Sequence, residues 1–432
     1  MTKIKVIGGG LAGCEAVYQL AKRGVEVELY EMRPKVFTPA HKTEGFAELV
    51  CSNSLKSEDV LTAQGCLKRE MRKLDSVILK AADASRVPAG GALAVDREKF
   101  SSYVGEVINS FPNVKVIREE CDIIDDFTII ATGPLTSEKM ADKLKKYAGS
   151  DFLNFFDAVA PIVTAESVDM DKAFFAGRYG KGGEDYLNCP MEKDEYIAFV
   201  DNLTNADKVI LRDFEKKDVF NACMPVEVMA QKGLDTLRFG PLRPVGLTDP
   251  KTGRRPYATV QLRKENAEGT MYNLVGFQTN LKFGEQKRVF SMIPALHDAE
   301  FVRYGVMHRN TYVNAPKVLT HGFELKDKKT VFIAGQLSGV EGYCESAMSG
   351  IISGINAYKR LVGLDIIDPP ETSLIGGLMK YIITENKDFQ PMHVGFPLTP
   401  ELEEHIKDKQ KRKEAYSFRA EKDFTLYAEK YI

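Results

Sequence analysis

The first 34 residues constrain the fold of this chain more than any other stretch of it. An apolar run of strand length precedes the glycines Gly8, Gly10 and Gly13, which have the spacing G-x-G-x-x-G. Apolar residues at helical spacing follow, and a second apolar run ends at Glu31. A strand, a glycine-rich turn, a helix and a second strand form, in this order, the βαβ unit that binds dinucleotides.

Each glycine of the motif has a separate physical task. Gly8 permits a tight turn, Gly10 lets the backbone approach a pyrophosphate, and Gly13 lets the helix pack closely on the strand. The helix N-terminus offers unpaired N–H groups and a positive dipole end to the phosphates. Glu31 follows Gly13 by eighteen residues and is placed to accept hydrogen bonds from a ribose, which favours FAD or NAD over NADP. The alternative is an ordinary glycine-rich turn between a strand and a helix.

Two later stretches extend the predicted dinucleotide site. A buried strand ends in Ala131-Thr132-Gly133, a triplet found in many flavoproteins, and a second strand runs into the glycine-rich turn after residue 334. A helix rich in small residues follows at 343–361, and we expect it to pack closely against a sheet with its N-terminus near the cofactor. The N-terminal βαβ unit and this later strand–turn–helix unit together favour FAD over a dissociable NAD. The alternative for the later unit is a second plain Rossmann crossover. The predicted cofactor-binding residues are Gly8, Gly9, Gly10, Leu11, Ala12, Gly13, Glu31, Arg33, Ala131, Thr132, Gly133, Gly335, Gln336, Gly339, Gly342, Tyr343 and Ser346.

These patterns predict an α/β protein with an FAD-binding, Rossmann-like, doubly wound domain that is discontinuous in sequence. We expect this domain to comprise residues 1–136 and 321–432 and to end in a helical C-terminal segment. Residues 137–320 change pattern and predict an inserted α/β domain on the substrate side. Within the first part, apolar spacing predicts one long helix over residues 61–82.

The composition narrows the classes of function. The net charge of −2 gives no global basic field for nucleic acid, although basic clusters occur at 254–264 and 407–413. The sequence contains no stretch of eighteen apolar residues, so we expect no membrane span, and its first residues show no signal-peptide pattern. Seven cysteines without a C-x-x-C pair predict neither a metal site nor a redox disulfide. We therefore expect a cytoplasmic protein without metal.

Two cysteines stand in polar surroundings. Cys51 precedes Ser52, Asn53 and Ser54, which are all good helix N-caps, so we expect Cys51 beside a helix N-terminus that stabilises its thiolate. Cys223 stands just before a Met-Pro pair, which predicts a loop or strand end. The alternative for both is the role of a small buried apolar residue.

The chain resembles the folate- and FAD-dependent tRNA (uracil-5-)-methyltransferases along essentially its full length. The segments that carry the resemblance are GGGLAG, LVCSNSLKS, ACMPVE and AGQLSGVEGYCES. The larger FAD proteins that modify the wobble uridine share the N-terminal unit but carry a long C-terminal extension. The resemblance implies that methylenetetrahydrofolate supplies the carbon, that reduced FAD supplies electrons, and that NADPH or NADH reduces the flavin. The implied product is 5-methyluridine in the T-loop of tRNA.

The resemblance also implies roles for the two cysteines. Cys223 is the expected nucleophile at C6 of uracil. Cys51 is expected to assist as acid or base or to guard a flavin adduct, and the two cysteines can exchange roles. Tyr343 and Arg309 are the candidates for the folate pocket. Three alternatives remain open: a flavin-dependent oxidoreductase that acts on a small molecule, a relative of the FAD proteins that modify the wobble uridine, and an FAD-containing RNA-binding protein without catalysis.

Overall fold

A computed structural model describes residues 3–148, 152–158, 160–180, 183, 185–209, 224–266, 268–305, 307–385 and 389–431. The helices are α1 (Leu11–Ala21), α2 (Ala63–Lys73), α3 (Val77–Ala84), α4 (Arg97–Ser110), α5 (Glu138–Ala148), α6 (Lys193–Asn205), α7 (Val226–Gln231), α8 (Thr236–Phe239), α9 (Phe283–Phe290), α10 (Ala315–Val318), α11 (Tyr343–Leu361), α12 (Leu374–Ile383) and α13 (Lys409–Tyr431).

The strands are β1 (Ile4–Ile7), β2 (Val27–Tyr30), β3 (Ser54–Ser57), β4 (Arg86–Val87), β5 (Ala92–Val95), β6 (Val114–Ile117), β7 (Thr128–Ile130), β8 (Phe152–Ala158), β9 (Ile162–Thr164), β10 (Phe174–Phe175), β11 (Tyr186–Met191), β12 (Ala258–Lys264), β13 (Met271–Leu274), β14 (Phe301–Arg303), β15 (Met307–Val313), β16 (Glu324–Leu325) and β17 (Lys328–Ile333).

The first sheet has the strand order β16-β17-β7-β1-β2-β6. Its strands run parallel except β16, which pairs antiparallel with β17 at one edge. The strand order reverses at β1, because β2 and β6 extend to one side of it and β7 and β17 to the other. Ligands of doubly wound sheets bind in the crevice beyond the carboxyl ends of the strands at such a reversal. The predicted Rossmann-like α/β fold is confirmed.

Helices α1 and α11 pack on each other next to this crevice. A Cβ added to Gly350 of α11 would collide with the backbone carbonyl of Ala12, and one added to Gly354 would lie 2.9 Å from the carbonyl oxygen of Ala16. The small residues of α11 therefore permit close packing on α1, and α11 also contacts β17 and β7, in agreement with the predicted packing on a sheet. This packing brings the N-termini of both helices to the crevice.

The second sheet is antiparallel and has the strand order β10-β11-β12-β13-β9-β14. It has its own apolar core, which includes Leu262, Phe277 and Phe290. The first core draws on both ends of the chain and includes Ile4 and Phe424. Strands β8 and β15 pair antiparallel where the chain enters and leaves the second sheet. The exact domain boundaries, after residues 136 and 320, stay a prediction.

The predicted helix over residues 61–82 is two helices, α2 and α3. The backbone of Asp75 has φ of 61°, which no α-helix tolerates, and Ser76 then caps α3 by accepting a hydrogen bond from the backbone nitrogen of Leu79 at 3.1 Å. None of the helices in the described part of the chain has the length and apolar character that a membrane crossing needs. The described residues also contain no cluster of three or more His, Cys, Asp or Glu that could hold a metal ion.

Candidate active site

A cleft lies at the carboxyl ends of β1 and β7, where the order of the first sheet reverses. It encloses about 1070 Å³ between protein atoms, part of it open to solvent. Most of the predicted cofactor-binding residues line it: Gly8, Gly9, Gly10, Leu11, Ala12, Glu31, Arg33, Ala131, Thr132, Gly133, Gly335, Gln336, Tyr343 and Ser346. The predicted stretches at residues 131–133 and 335–346 thus meet the N-terminus of α1 at one cleft.

The glycine turn leaves room for an anion at the start of α1. A Cβ added to Gly10 would meet no atom within 4 Å, so that side of Gly10 borders open space. Gly10 is also the N-cap of α1 and has no side chain to bind the first N–H groups of the helix. Gly8 has φ of 106°, a conformation that favours glycine. The turn therefore fits a pyrophosphate held by backbone N–H groups.

Glu31 fixes the glycine turn as well as facing the cleft. Its Oε2 accepts a hydrogen bond from the backbone nitrogen of Gly9 at 2.8 Å. Its Oε1 accepts from the backbone nitrogen and the Nε of Arg33 at 3.0 and 2.9 Å. Burial acts to raise the pKa of Glu31, but the Arg33 guanidinium and the backbone donors outweigh it and lower the pKa. The ionised carboxylate keeps acceptor capacity for a ribose hydroxyl.

Two cleft residues near Glu31 were not found from the sequence. Glu48 lies in the wall and accepts from Nη1 of Arg33 at 2.9 Å, so that Arg33 bridges two carboxylates. His41 also lines the cleft, and its Nδ1 lies 2.6 Å from Oγ1 of Thr38. Burial and the nearby Arg33 charge lower the pKa of His41 to about 4, so this imidazole is neutral at pH 7. Both residues stand in the loop after β2, where the sequence shows no periodic pattern.

Three predicted cofactor-binding glycines do not line the cleft. A Cβ at Gly13 would collide with the backbone carbonyl of the first glycine of the motif, which agrees with a packing task. A Cβ at Gly339 would lie 2.6 Å from the ring of Phe389. Gly342 has φ of 112° and begins α11 as its N-cap. Steric limits within the protein account for glycine at these positions.

Cys51 is half-buried in a loop that leads into β3 rather than into a helix. The expectation of a helix N-terminus at Cys51 is therefore wrong. The side chain of Ser52 accepts a hydrogen bond from the backbone nitrogen of Ser54 at 3.1 Å, so this capping residue stabilises a turn before a strand.

Tyr343 connects this loop to the cleft. Its phenol oxygen accepts hydrogen bonds from the backbone nitrogens of Cys51 and Ser52 at 2.8 and 3.1 Å. Tyr343 is the first residue of α11 and lines the cleft, as does Val50. Burial raises the pKa of Tyr343, so the phenol is neutral at pH 7. The Cys51 backbone thus lies immediately behind the cleft wall.

Arg97 binds the carbonyl side of the same loop. Its Nη2 donates to the backbone oxygen of Cys51 at 3.1 Å, and its Nη1 donates to the backbone oxygen of Leu49. The Nε of Arg97 forms an ion pair with Oε2 of Glu265 at 2.6 Å. Glu265 follows β12, so this ion pair joins the first core to the second sheet.

Arg303, the last residue of β14, binds the loop from the side of the second sheet. It donates to the backbone oxygen of Val50, which stands next to Cys51 in the chain. The sequence did not identify Arg97, Glu265 or Arg303. Their contacts with residues 49–51 span long stretches of chain, so no local pattern marks them.

The remaining predicted residues lie in different parts of the chain, and one of them is not described by the structure. Cys223 lies outside the described residues, and Arg309 lies on β15. The predicted basic cluster at 254–264 is divided, because Arg254 is exposed whereas Arg263 is buried. The Nε of Arg263 donates to Oδ1 of Asn53 at 2.9 Å, so Arg263 is engaged inside the protein.

Several known proteins are similar to this chain in sequence or in fold. A family model described as "GIDA: Glucose inhibited division protein A" matches residues 3–365. The chain is 56% identical to the methylenetetrahydrofolate--tRNA-(uracil-5-)-methyltransferase TrmFO of Lactobacillus gasseri, over 99% of this chain and 98% of that protein. It is 55% identical to the enzyme of the same name from Acetivibrio thermocellus, over 99% of each chain.

A solved structure agrees at the level of the fold. The structure of Aquifex aeolicus GidA aligns with a TM-score of 0.71 and 16% identity, over 99% of this chain and 73% of that one. The relatives at 55–56% identity match from end to end and carry the name of the family that the cysteine segments suggested. The chain therefore belongs to the TrmFO family of methylenetetrahydrofolate–tRNA-(uracil-5-)-methyltransferases, within the wider glucose-inhibited division protein A family.

Proposed function

We propose that this chain methylates C5 of a uridine in the T-loop of tRNA, with methylenetetrahydrofolate as carbon donor, bound FAD as cofactor, and NADPH or NADH as reductant. The observation that carries the proposal is the position of Cys51. Its backbone is hydrogen-bonded to Tyr343, a residue of the wall of a dinucleotide cleft. The full-length similarity to enzymes named for this reaction supports the same conclusion.

The cleft residues fit FAD. The backbone around Gly10 and the start of α1 would hold the pyrophosphate, because a Cβ at Gly10 borders open space. Glu31 would accept a hydrogen bond from the ribose, and Gln336 and Ser346 line the same cleft near the start of α11. When bound, FAD in its reduced form would supply the two electrons that a transferred methylene needs to become a methyl group. The chain's own groups bind, orient and exchange protons around that chemistry.

The two cysteines divide the covalent and proton-transfer work. The Cys223 thiolate adds to C6 of the uracil, which makes C5 nucleophilic toward the methylene carbon. C5 must then lose its proton, and Cys51 is the base that we assign to this step. Loss of the Cys223 thiolate from C6 finally restores the ring. The balanced reaction consumes the folate methylene and two reducing equivalents and releases tetrahydrofolate.

The tRNA must present its uridine outside the stacked T-loop. Unstacking of one base costs a few kcal/mol, which phosphate contacts with exposed cations must offset. The exposed Arg254 and Arg255 and the basic start of α13 are the candidate contacts. We place the reaction in the cytoplasm, where tRNA and reduced thiols occur together.

A labelling experiment tests the whole proposal. Purified protein receives unmodified tRNA transcript, NADPH and methylenetetrahydrofolate labelled in its methylene carbon, and a parallel sample receives labelled S-adenosylmethionine. We expect a flavin absorption spectrum and label in tRNA from folate alone. NADPH consumption without label from folate would instead indicate an oxidoreductase that acts on a small molecule.

The cysteine roles need a separate experiment. RNA containing 5-fluorouracil traps the covalent adduct at C6, because C5 then carries fluorine in place of the proton that the base must remove. We expect Cys51→Ala to form the covalent adduct and Cys223→Ala not to form it. The opposite result would exchange the two assignments and leave the overall reaction unchanged.

A further inference from the structure

Side chains from three distant elements bind the backbone of the loop at residues 49–52, and Arg263 of β12 binds the side chain of Ser52. Tyr343 of α11 binds two backbone nitrogens of the loop, while Arg97 of α4 and Arg303 of β14 bind three of its backbone oxygens. We propose that Arg97 and Arg303 are positioning residues that fix Cys51 behind the cleft wall and favour its anionic thiolate. This inference rests on the proposed function only in treating Cys51 as a reacting thiol.

The geometry fixes the backbone of Cys51 from both sides. Its N–H points to the phenol of Tyr343, and its carbonyl oxygen lies 3.1 Å from Nη2 of Arg97. Arg97 cannot move away without breaking its ion pair with Glu265, a side chain that is 2% exposed. A loop without regular secondary structure thereby gains a fixed conformation, which a proton-transfer group requires.

Several charged or titratable side chains lie near this loop. They are Arg97 and its partner Glu265, Arg303, Tyr343, His41 and Glu48 of the cleft wall, and Arg263, whose Nη2 donates to Oγ of Ser52 at 2.6 Å. The Nε of Arg97 forms an ion pair with Oε2 of Glu265 at 2.6 Å, which offsets part of its positive charge. Glu265 also acts to raise the pKa of Arg303, so this carboxylate offsets part of the charge of both arginines, and each arginine interacts electrostatically with Cys51.

The interaction between Arg303 and Cys51 is mutual. Burial lowers the pKa of Arg303, and the Arg97 charge lowers it further, whereas the Tyr343 phenol and the Cys51 thiol act to raise it. An anionic Cys51 thus stabilises the Arg303 cation, and by the same free energy the cation stabilises the thiolate. Cationic neighbours favour cysteine thiolates in this way when they lie close and partly buried.

The test measures the rate of Cys51 alkylation by iodoacetamide between pH 5.5 and 9.5, in protein with its flavin and without folate or tRNA. Peptide mass spectrometry separates Cys51 from the other cysteines. Arg303→Gln keeps a hydrogen-bond donor and loses the charge, and Arg303→Lys keeps the charge. We expect the midpoint of the rate profile to rise by about one pH unit in Arg303→Gln and by much less in Arg303→Lys. At pH 7 the Gln variant should react about tenfold more slowly.

The control is Arg288→Gln, an arginine of the second-sheet region whose guanidinium binds Glu285 and Asn202. Its profile should match that of the unchanged chain. An unchanged midpoint in Arg303→Gln, or equal shifts in the Gln and Lys variants, overturns the proposal. If Arg303→Gln does not fold, Arg97→Gln and Arg97→Lys make the same comparison. Because no methyl transfer is measured, failure here is distinct from failure of the labelling experiment.

Discussion

The phenol oxygen of Tyr343 lies 2.8 Å from the backbone nitrogen of Cys51, so the first residue of α11 forms part of the cleft and also holds the neighbouring loop. The two functions can be separated by substitution. Loss of the hydroxyl leaves the aromatic ring in the wall and deprives two N–H groups of their acceptor.

We expect Tyr343→Phe to retain its flavin and to lose methylation activity. Each N–H left without a partner costs about 1–3 kcal/mol, so the loop should change conformation rather than keep both groups unsatisfied. The flavin absorption spectrum and the rate of label transfer to tRNA measure the two effects. Tyr381→Phe removes a hydroxyl that donates to the backbone oxygen of Gln390 and serves as the control. Equal activity in both variants would contradict the expectation.

The glycines of the motif should respond differently to alanine. In Gly10→Ala the new methyl group enters open space beside the start of α1, so we expect a folded protein that is purified without flavin. In Gly13→Ala the methyl group collides with the backbone of the first motif glycine, so we expect a lower thermal midpoint or insoluble protein. Circular dichroism melting and the flavin spectrum distinguish the two outcomes. A yellow Gly10→Ala protein would show that the pyrophosphate binds elsewhere.

Two buried carboxyl groups should make stability depend on pH. Burial raises the pKa of Glu15 to about 7 and that of Glu70 to about 8, although each accepts hydrogen bonds from a helix N-terminus. Since the folded chain binds these protons more tightly than the unfolded chain, their contribution is full below about pH 4.5 and is lost as the pH rises to 8.

The measurement is the thermal midpoint at pH 6 and pH 8 in the same buffer ions. We expect the midpoint to fall at the higher pH and the fall to be smaller in Glu70→Gln, which has no proton to lose. One pKa unit corresponds to about 1.4 kcal/mol, so several degrees of difference are measurable. Glu268→Gln, at an exposed side chain, is the control. A midpoint independent of pH in the unchanged chain would contradict this account.

Binding of tRNA should weaken steeply with salt if phosphates are the main contacts. The cations Lys409, Lys411 and Arg412 are exposed at the start of α13 and form no ion pair with another described residue. We expect their triple replacement by serine to reduce the slope of log K against log salt by about two to three. Filter binding from low to physiological salt measures this slope.

The matched control is a triple serine variant of α5. Its lysines Lys139, Lys143 and Lys145 each lie within 4 Å of a carboxylate, at 2.8, 3.7 and 2.6 Å. Their charges are already balanced, so the slope should stay close to that of the unchanged chain. A similar loss of slope in both variants would indicate a general effect of net charge, and no contact with α13.

Local patterns predicted the parts of the fold that local forces determine. The βαβ unit and the bounds of α11 at Tyr343–Leu361 agree with the sequence, because hydrophobic periodicity acts over a few residues. The break at Asp75 escaped detection, since the apolar spacing continues across it. Ser52 likewise looked like a helix cap because the same side chain also stabilises turns before strands.

The surroundings of Cys51 required the structure. Arg97 is 46 residues from Cys51, and Arg303 is 253 residues from Val50, which it binds. One arginine begins a helix and the other ends a strand, and neither stands out in its local sequence. Contacts between two sheets depend on how the sheets pack, and no periodicity within either sheet reports that packing.

The contacts of the second sheet with the cysteine loop have a consequence for protein engineering. Arg303 and Arg263 belong to the second sheet, yet they bind Val50 and Asn53 of the first part of the chain. A chimaera that exchanged residues 160–305 with those of a distant relative would carry foreign side chains to the loop of Cys51. Such an exchange preserves thiol geometry only when both arginines are transplanted together with the residues they bind, so the two parts of the chain are inherited as one unit.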